Sequence, residues 1–115
     1  DSTAVLLSGN VRLTAYDEEF GTEKALVTSD RGRLDTLTNS LLAQGNAVLV
    51  IKEDGRRIES AELRYVPDQD AISSDSATVM YDGDNIIEGT GFDADLSFER
   101  VLVRNARTRG GAIRF

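Results

Sequence analysis

The chain has 115 residues, 20 acidic and 13 basic, for a net charge of −7, with one proline and no histidine, cysteine or tryptophan. A length of this order is one domain's worth, enough to bury about two-thirds of the unfolded surface around one core. The composition excludes disulfides, zinc–thiolate centres, thiol nucleophiles and every imidazole base or ligand.

The pattern is strand-like from end to end. Leu7, Gly9, Val11, Leu13 and Ala15 alternate with Ser8, Asn10, Arg12, Thr14 and Tyr16, a period of two. Turn signals follow at short intervals: Asp17 to Gly21, Asp35 to Asn39, Glu53-Asp54-Gly55, Pro67 to Asp70, Asp82 to Asn85, and Asp93-Ala94-Asp95. Asp, Asn and Gly suit such places because they tolerate left-handed or self-bonded backbone. Asp54-Gly55 is a hairpin turn, and Pro67 falls in a turn, where it removes no ladder bond. No stretch carries a helical period. The spacing predicts seven or more antiparallel strands of roughly 7 to 12 residues. Over Ala71 to Tyr81 two patterns disagree about which residues point inward.

The chain repeats itself. SGNVRL at 8–13 returns as QGNAVL at 44–49, and a second unit occurs as LVTSDRGRL (26–34), RIESAELRY (57–65) and IIEGTGFDA (86–94). In register, Val27, Ile58 and Ile87 correspond, then Ser29, Ser60 and Gly89, then Gly32, Leu63 and Phe92. The last step is three residues, and an odd step flips faces in a regular strand. An extra residue, a β-bulge, restores the face and bends the strand. The repeat predicts strands that bend together near Asp30, Ala61 and Thr90, with Ser29, Ser60 and Gly89 at the crease of a folded, V-shaped sheet. Chance similarity between short strands is the plainer alternative.

Such a sheet holds an apolar lining while its ends stay open to further strands. The candidate lining is Val11, Leu13, Val27, Leu49, Ile51, Ile58, Leu63, Tyr65, Ile87, Phe92, Val101 and Val103. The alternative is that these residues fill a closed sandwich core.

No constellation points to chemistry. Asp68 and Asp70, Asp82 and Asp84, and Asp93 and Asp95 are paired carboxylates, but turn chemistry accounts for them better than glycosidase catalysis does. Asp82-Gly83-Asp84-Asn85 does not fit a calcium loop, so no metal is expected. Gly89-Thr90-Gly91 lacks the third glycine and the helix of a phosphate-binding fingerprint, and close backbone approach at a bend explains it better. Serines lack a histidine base, and nothing pairs Lys24 or Lys52 with one. The expectation is a non-enzymatic protein with no cofactor.

Charge is unevenly spread. Residues 1–99 hold all 20 acids and 8 bases, −12, while Arg100, Arg104, Arg107, Arg109 and Arg114 give the rest +5. The acidic body argues against nucleic acid. The basic end suits an anionic headgroup, an acidic partner or plain solvation. The longest purely apolar run, Ala47 to Ile51, falls far short of the roughly 20 residues of a membrane span, and no signal peptide is visible.

Residues 45–103 resemble the C-terminal part of the LptC family. The family pattern is a Gly-Asn strand start, a dG turn, an "l-x-t/s-x-x-L-x-Y" strand, "I-x-S-D", "G-x-G-f" and a final strand. These fall on Gly45-Asn46, Asp54-Gly55, Ile58 to Tyr65, Ile72-Ser73-Ser74-Asp75 and Gly89 to Phe92. Lys24 to Asp35 matches the preceding strand, and the resemblance runs from about Leu7.

The resemblance implies a single domain over 1–115, an all-β, twisted, boat-shaped β-jellyroll of stacked antiparallel V-shaped strands with open edges. Its function would be to hold the acyl chains of lipopolysaccharide and pass them from an inner-membrane ABC transporter to an LptA-like periplasmic protein, joined by edge-strand addition. The localisation implied is the periplasm, with a tethering helix and first strands that this sequence does not show. Alternatives are a purely structural β-repeat scaffold, the related bridge protein LptA, and a carbohydrate-binding jellyroll. The last is disfavoured by three tyrosines and no tryptophan.

Overall fold

A computed structural model describes residues 4–17 and 19–109. It contains ten strands: β1 (Ala4–Tyr16), β2 (Glu23–Asp35), β3 (Ser40–Ile51), β4 (Arg57–Val66), β5 (Ala71–Ser74), β6 (Thr78–Asp82), β7 (Asn85–Gly89), β8 (Gly91–Asp95), β9 (Val101–Arg104) and β10 (Arg107–Arg109). The only helical element among the described residues is a single 3₁₀ turn, Pro67–Gln69, which proline's fixed φ suits at its first position. The turns form where aspartate was expected to start them. The side-chain oxygens of Asp17, Asp35 and Asp54 each accept the backbone N–H two residues on, at 2.8, 2.9 and 3.1 Å.

All strands belong to one open antiparallel sheet. The long strands β1 to β4 pair in sequence order. Beyond β4 each run divides at the middle, into β5 and β6, β7 and β8, β9 and β10. One arm runs through the first half of β1, the second half of β2, the first half of β3 and the second half of β4 to β5, β8 and β9; the other runs through the remaining halves of β1 to β4 to β6, β7 and β10. The two arms meet along a crease that crosses every run, so four unbroken strands and three divided ones make seven stacked Vs. The V-shaped sheet expected from the repeats is therefore present, in a body of 56 × 31 × 24 Å.

The inward residues step by three where the repeat places the odd step: Ser29 to Gly32, Ser60 to Leu63 and Gly89 to Phe92. The extra residue, however, is not in those units. It lies on the facing strands, in the Gly-Asn pairs. Gly9 and Asn10 of β1 oppose Asp30 alone, and Gly45 and Asn46 of β3 oppose Ala61 alone. All four have positive φ, 79°, 59°, 84° and 48°, a region that glycine enters freely and asparagine tolerates. The Gly-Asn pair thus sits in mid-strand, not at a strand start. Asn105, between β9 and β10, has the same left-handed backbone (φ 53°). It is followed by Ala106 as Asn46 is by Ala47, so Asn105-Ala106 is a further copy of the signal. Thr90 is a bend between β7 and β8.

The crease is built from small residues because the arms converge there. Ala43, Ala47, Ser60, Ser74 and Thr78 are buried. Their hydroxyls are satisfied internally, as burial demands. Ser76 N–H donates to Ser74 Oγ at 3.0 Å, Ser74 and Ser60 share a hydrogen bond of 2.8 Å, and Ser60 Oγ donates to the Ala77 carbonyl at 3.1 Å. Larger side chains fill the widening space between the arms: Leu41, Leu49, Ile51, Ile58, Leu63, Ile72, Met80 and Phe92. This resolves the facing over 71–81. Ile72, Ser74, Thr78 and Met80 point inward, with the break at 75–77 between them.

One expected turn is misplaced. Asp93-Ala94-Asp95 is strand, the second half of β8, and the chain reverses afterwards over 96–100. Two carboxylates there do not break the strand because Asp93 points outward, while Asp95 closes the turn. The Asp95 carboxylate accepts Arg100 N–H at 3.1 Å and Ser97 Oγ–H at 2.9 Å. These bonds, the one from Arg100 first, hold its pKa below the usual carboxylate value.

Candidate functional site

Opposite the crease the arms part, and a cleft of about 620 Å³ opens between them. Leu13 of β1, Ala25 and Val27 of β2 and Leu49 of β3 come from one arm; Tyr65 of β4 and Ile72 of β5 come from the other. These residues meet because the alternation of each long strand directs every second side chain between the arms. The rim carries Asp17, Glu19, Lys24 and Asp70. Three carboxylates against one ammonium leave it with no attraction for an anion among the described residues.

The structure divides the twelve expected lining residues into groups. Leu13, Val27, Leu49 and Tyr65 line the cleft. Ile51, Ile58, Leu63 and Phe92 do not line the cleft and are at most 1 % exposed, as is Leu49 at its base. Val103 is buried in the same core, with Ile87 and Val101 half-buried against it. Val11 is buried near the crease, against Gly32. Burial of the aliphatic set is the common feature; access to the cleft is not.

Phe98 was not foreseen. It lies in the reversal between β8 and β9, where a polar residue is ordinary, yet it is only 5 % exposed and belongs to the core. Its backbone is left-handed, φ 60°, an arrangement that costs a non-glycine residue about 1–3 kcal/mol. Neighbours hold it there. Arg56 Nη2 donates to the Phe98 carbonyl at 3.0 Å, and Phe98 N–H donates to the Asp95 carbonyl at 3.0 Å. Leu96, two residues earlier, is anchored through its N–H to Asp70 Oδ1 at 3.3 Å. The signal in the sequence was an aromatic residue flanked by Ser97, Glu99 and Arg100 in a turn.

The final edge is fixed by Arg104. Its guanidinium donates to the Ser74 carbonyl and, at 3.0 Å, to Asp75 Oδ1. Arg64 approaches the other oxygen of Asp75 at 3.5 Å. The Arg104 hydrogen bond and charge hold the Asp75 carboxyl below the usual range. Gly89 and Gly91 make room for this strand. A Cβ at Gly89 would overlap the Arg104 carbonyl oxygen and Val103 Cγ1, and one at Gly91 would lie 2.5 Å from the Ser74 oxygen. The glycine pair serves close approach, not phosphate.

The sheet ends in two edges. On one, β1 exposes Val5 and Leu6, the latter 77 % exposed; on the other, β9 exposes Leu102 at 63 %. Among the described residues no cluster of acidic side chains is able to hold a metal ion, and no helix is long and apolar enough to cross a membrane.

Comparison with curated proteins returned no match. A family model described as "Lipopolysaccharide-assembly, LptC-related" matches residues 3–109, nearly the whole chain. An open stack of V-shaped strands around an apolar cleft, with this match along its length, identifies the chain as belonging to the LptC family, which places it in lipopolysaccharide transport in the periplasm.

Proposed function

We propose that the cleft between the arms holds acyl chains of lipopolysaccharide in transit, and that the open edges pass them on. The observation that carries this is the apolar floor formed by Leu13, Val27, Leu49, Tyr65 and Ile72 beneath a polar, open mouth. Each methylene kept from water there is worth about 0.8 kcal/mol, so moving a chain through the cleft needs no covalent step. The energy for directed transport comes from the inner-membrane ABC transporter. The rim, short of cations, leaves the anionic headgroup in solvent, so affinity rests on the chains. The next carrier, an LptA-like protein, docks by adding a strand to one open edge; the other edge faces the transporter.

A photo-crosslinker at Leu13 or Tyr65 tests the cleft. Capture of lipopolysaccharide from these positions, and none from the exposed Arg33 or Asp84, is the expected result. A structural scaffold with a dry core gives no capture from either pair, and that outcome sinks the proposal.

A further inference from the structure

A second cavity, of about 400 Å³, lies next to the cleft and is lined by Thr22, Glu23, Ile51, Lys52 and Glu53. Four residues line both spaces: Asp17, Lys24, Ser97 and Phe98. Of these Phe98 alone is buried and apolar. The other three are polar, so Phe98 is the apolar residue common to both spaces. Its ring is not supplied by a strand. It is carried by a short reversal, in a left-handed conformation, whose backbone is held by the Arg56 bond to the Phe98 carbonyl.

We infer that Phe98 sets the length of acyl chain the cleft accepts. This rests on the acyl-chain reading of the cleft and adds to it a specificity-determining residue. With the ring in place a chain entering over Leu13 and Tyr65 ends against an aromatic face. With the ring removed the same chain continues over Ile51 toward Thr22 and Glu53. The added floor is one aliphatic side chain, so the gain is confined to methylenes and brings no headgroup contact.

The test is a series of saturated fatty acids from octanoate to octadecanoate, each below its micelle concentration, with dissociation constants measured for wild type, Phe98→Ala and Phe98→Leu. While chains lengthen inside the cleft, each methylene tightens binding by about fourfold, the equivalent of about 0.8 kcal/mol. In the wild type the gain stops at the length that reaches Phe98; in Phe98→Ala it continues for several more methylenes, and in Phe98→Leu for fewer. A diazirine on the terminal carbon of the longest chain then labels Thr22 or Glu53 in Phe98→Ala and not in the wild type. Phe98→Leu keeps most of the buried bulk and carries the comparison if the alanine variant does not fold. Identical break points in all folded proteins overturn the role of Phe98 while leaving the cleft reading intact. Absence of chain-length dependence in every protein overturns both.

Discussion

The Asn46 side chain donates a hydrogen bond of 2.9 Å to the carboxylate of Asp30 on the neighbouring strand. The bond ties the bulge of β3 to the place where β2 bends, and the Asp30 side chain packs on Gly45. A Cβ at Gly45 would lie 3.0 Å from Asp30 Oδ2, and the backbone there has φ 84°. Gly45→Ala is expected to destabilise by at least the left-handed penalty of about 1–2 kcal/mol. Asn46→Gly keeps the backbone and loses one exposed hydrogen bond, about 1 kcal/mol or less. Urea denaturation of the two variants orders them; equal stability would mean that the bulge does not depend on its glycine.

The glycines beside Arg104 differ from Gly32. At Gly89 a methyl group collides with backbone, which cannot step aside. At Gly32 it meets the flexible Leu41 Cδ1 at 3.2 Å. Gly89→Ala should therefore destabilise by about 1–3 kcal/mol or more, whereas Gly32→Ala costs less. Thermal melts of both variants check the order, and a neutral Gly89→Ala would place β9 farther from β7 than described.

Acid should loosen the final edge. Asp75 has its pKa lowered from 3.8 in the folded chain by Arg104, so the unfolded chain binds its proton first as pH falls. The stabilisation is complete above the ordinary carboxylate pKa and is lost as pH drops through the lowered folded value. Asp95 behaves likewise through its bond from Arg100. Asp75→Asn should flatten part of the decline in stability below pH 3.8, read from urea midpoints taken in an acid series. A slope identical to that of the wild type would exclude Asp75 as a contributor.

Strand addition at β9 has a backbone signature. The bond from Asp95 N–H to the Arg100 carbonyl sets the antiparallel alternation. Along β9 (register Leu102↔Asp93 and Val103↔Phe92) the N–H of Leu102 therefore faces β8, and that of Val103 faces away. Val103→Pro should weaken docking of an LptA-like partner by about tenfold, the loss of one hydrogen bond, while the fold is largely kept. Leu102→Pro removes a bond inside the sheet and should lower the melting temperature instead. Undiminished docking of Val103→Pro would argue against addition at this edge.

The stacked Vs were legible because their cause is local. Period-two alternation, a repeated odd step and Asp-rich turns all act within a few residues. Which strand carries the extra residue was harder. Two strands cross each bulge, and the register of a pair belongs to neither sequence alone. The Gly-Asn repeat held that information, since only glycine and asparagine enter the left-handed region readily. The site was less legible than the fold. Burial of Ile58, Leu63 and Phe92 follows from their repeat positions, but the cleft depends on how far the arms diverge. Phe98 escaped notice because its reversal is placed by tertiary contacts distant in sequence, Arg56 on the Phe98 carbonyl and Asp70 on the Leu96 N–H. Asp93-Ala94-Asp95 misled because aspartate marks turns on average, whereas here one of the pair points outward from a short strand.

The sheet closes on nothing, and the strands of each V pair only with those of the Vs beside it. Stability in such a stack is nearly a sum of unit and neighbour energies, as in solenoids. Unwinding is then expected to begin at whichever terminal V has lost its neighbour and to travel inward one hairpin at a time. A partner strand laid on an end would act as a cap as well as a continuation of the path. Loading of the bridge and protection of its end amides from hydrogen exchange would then be one event seen from two sides.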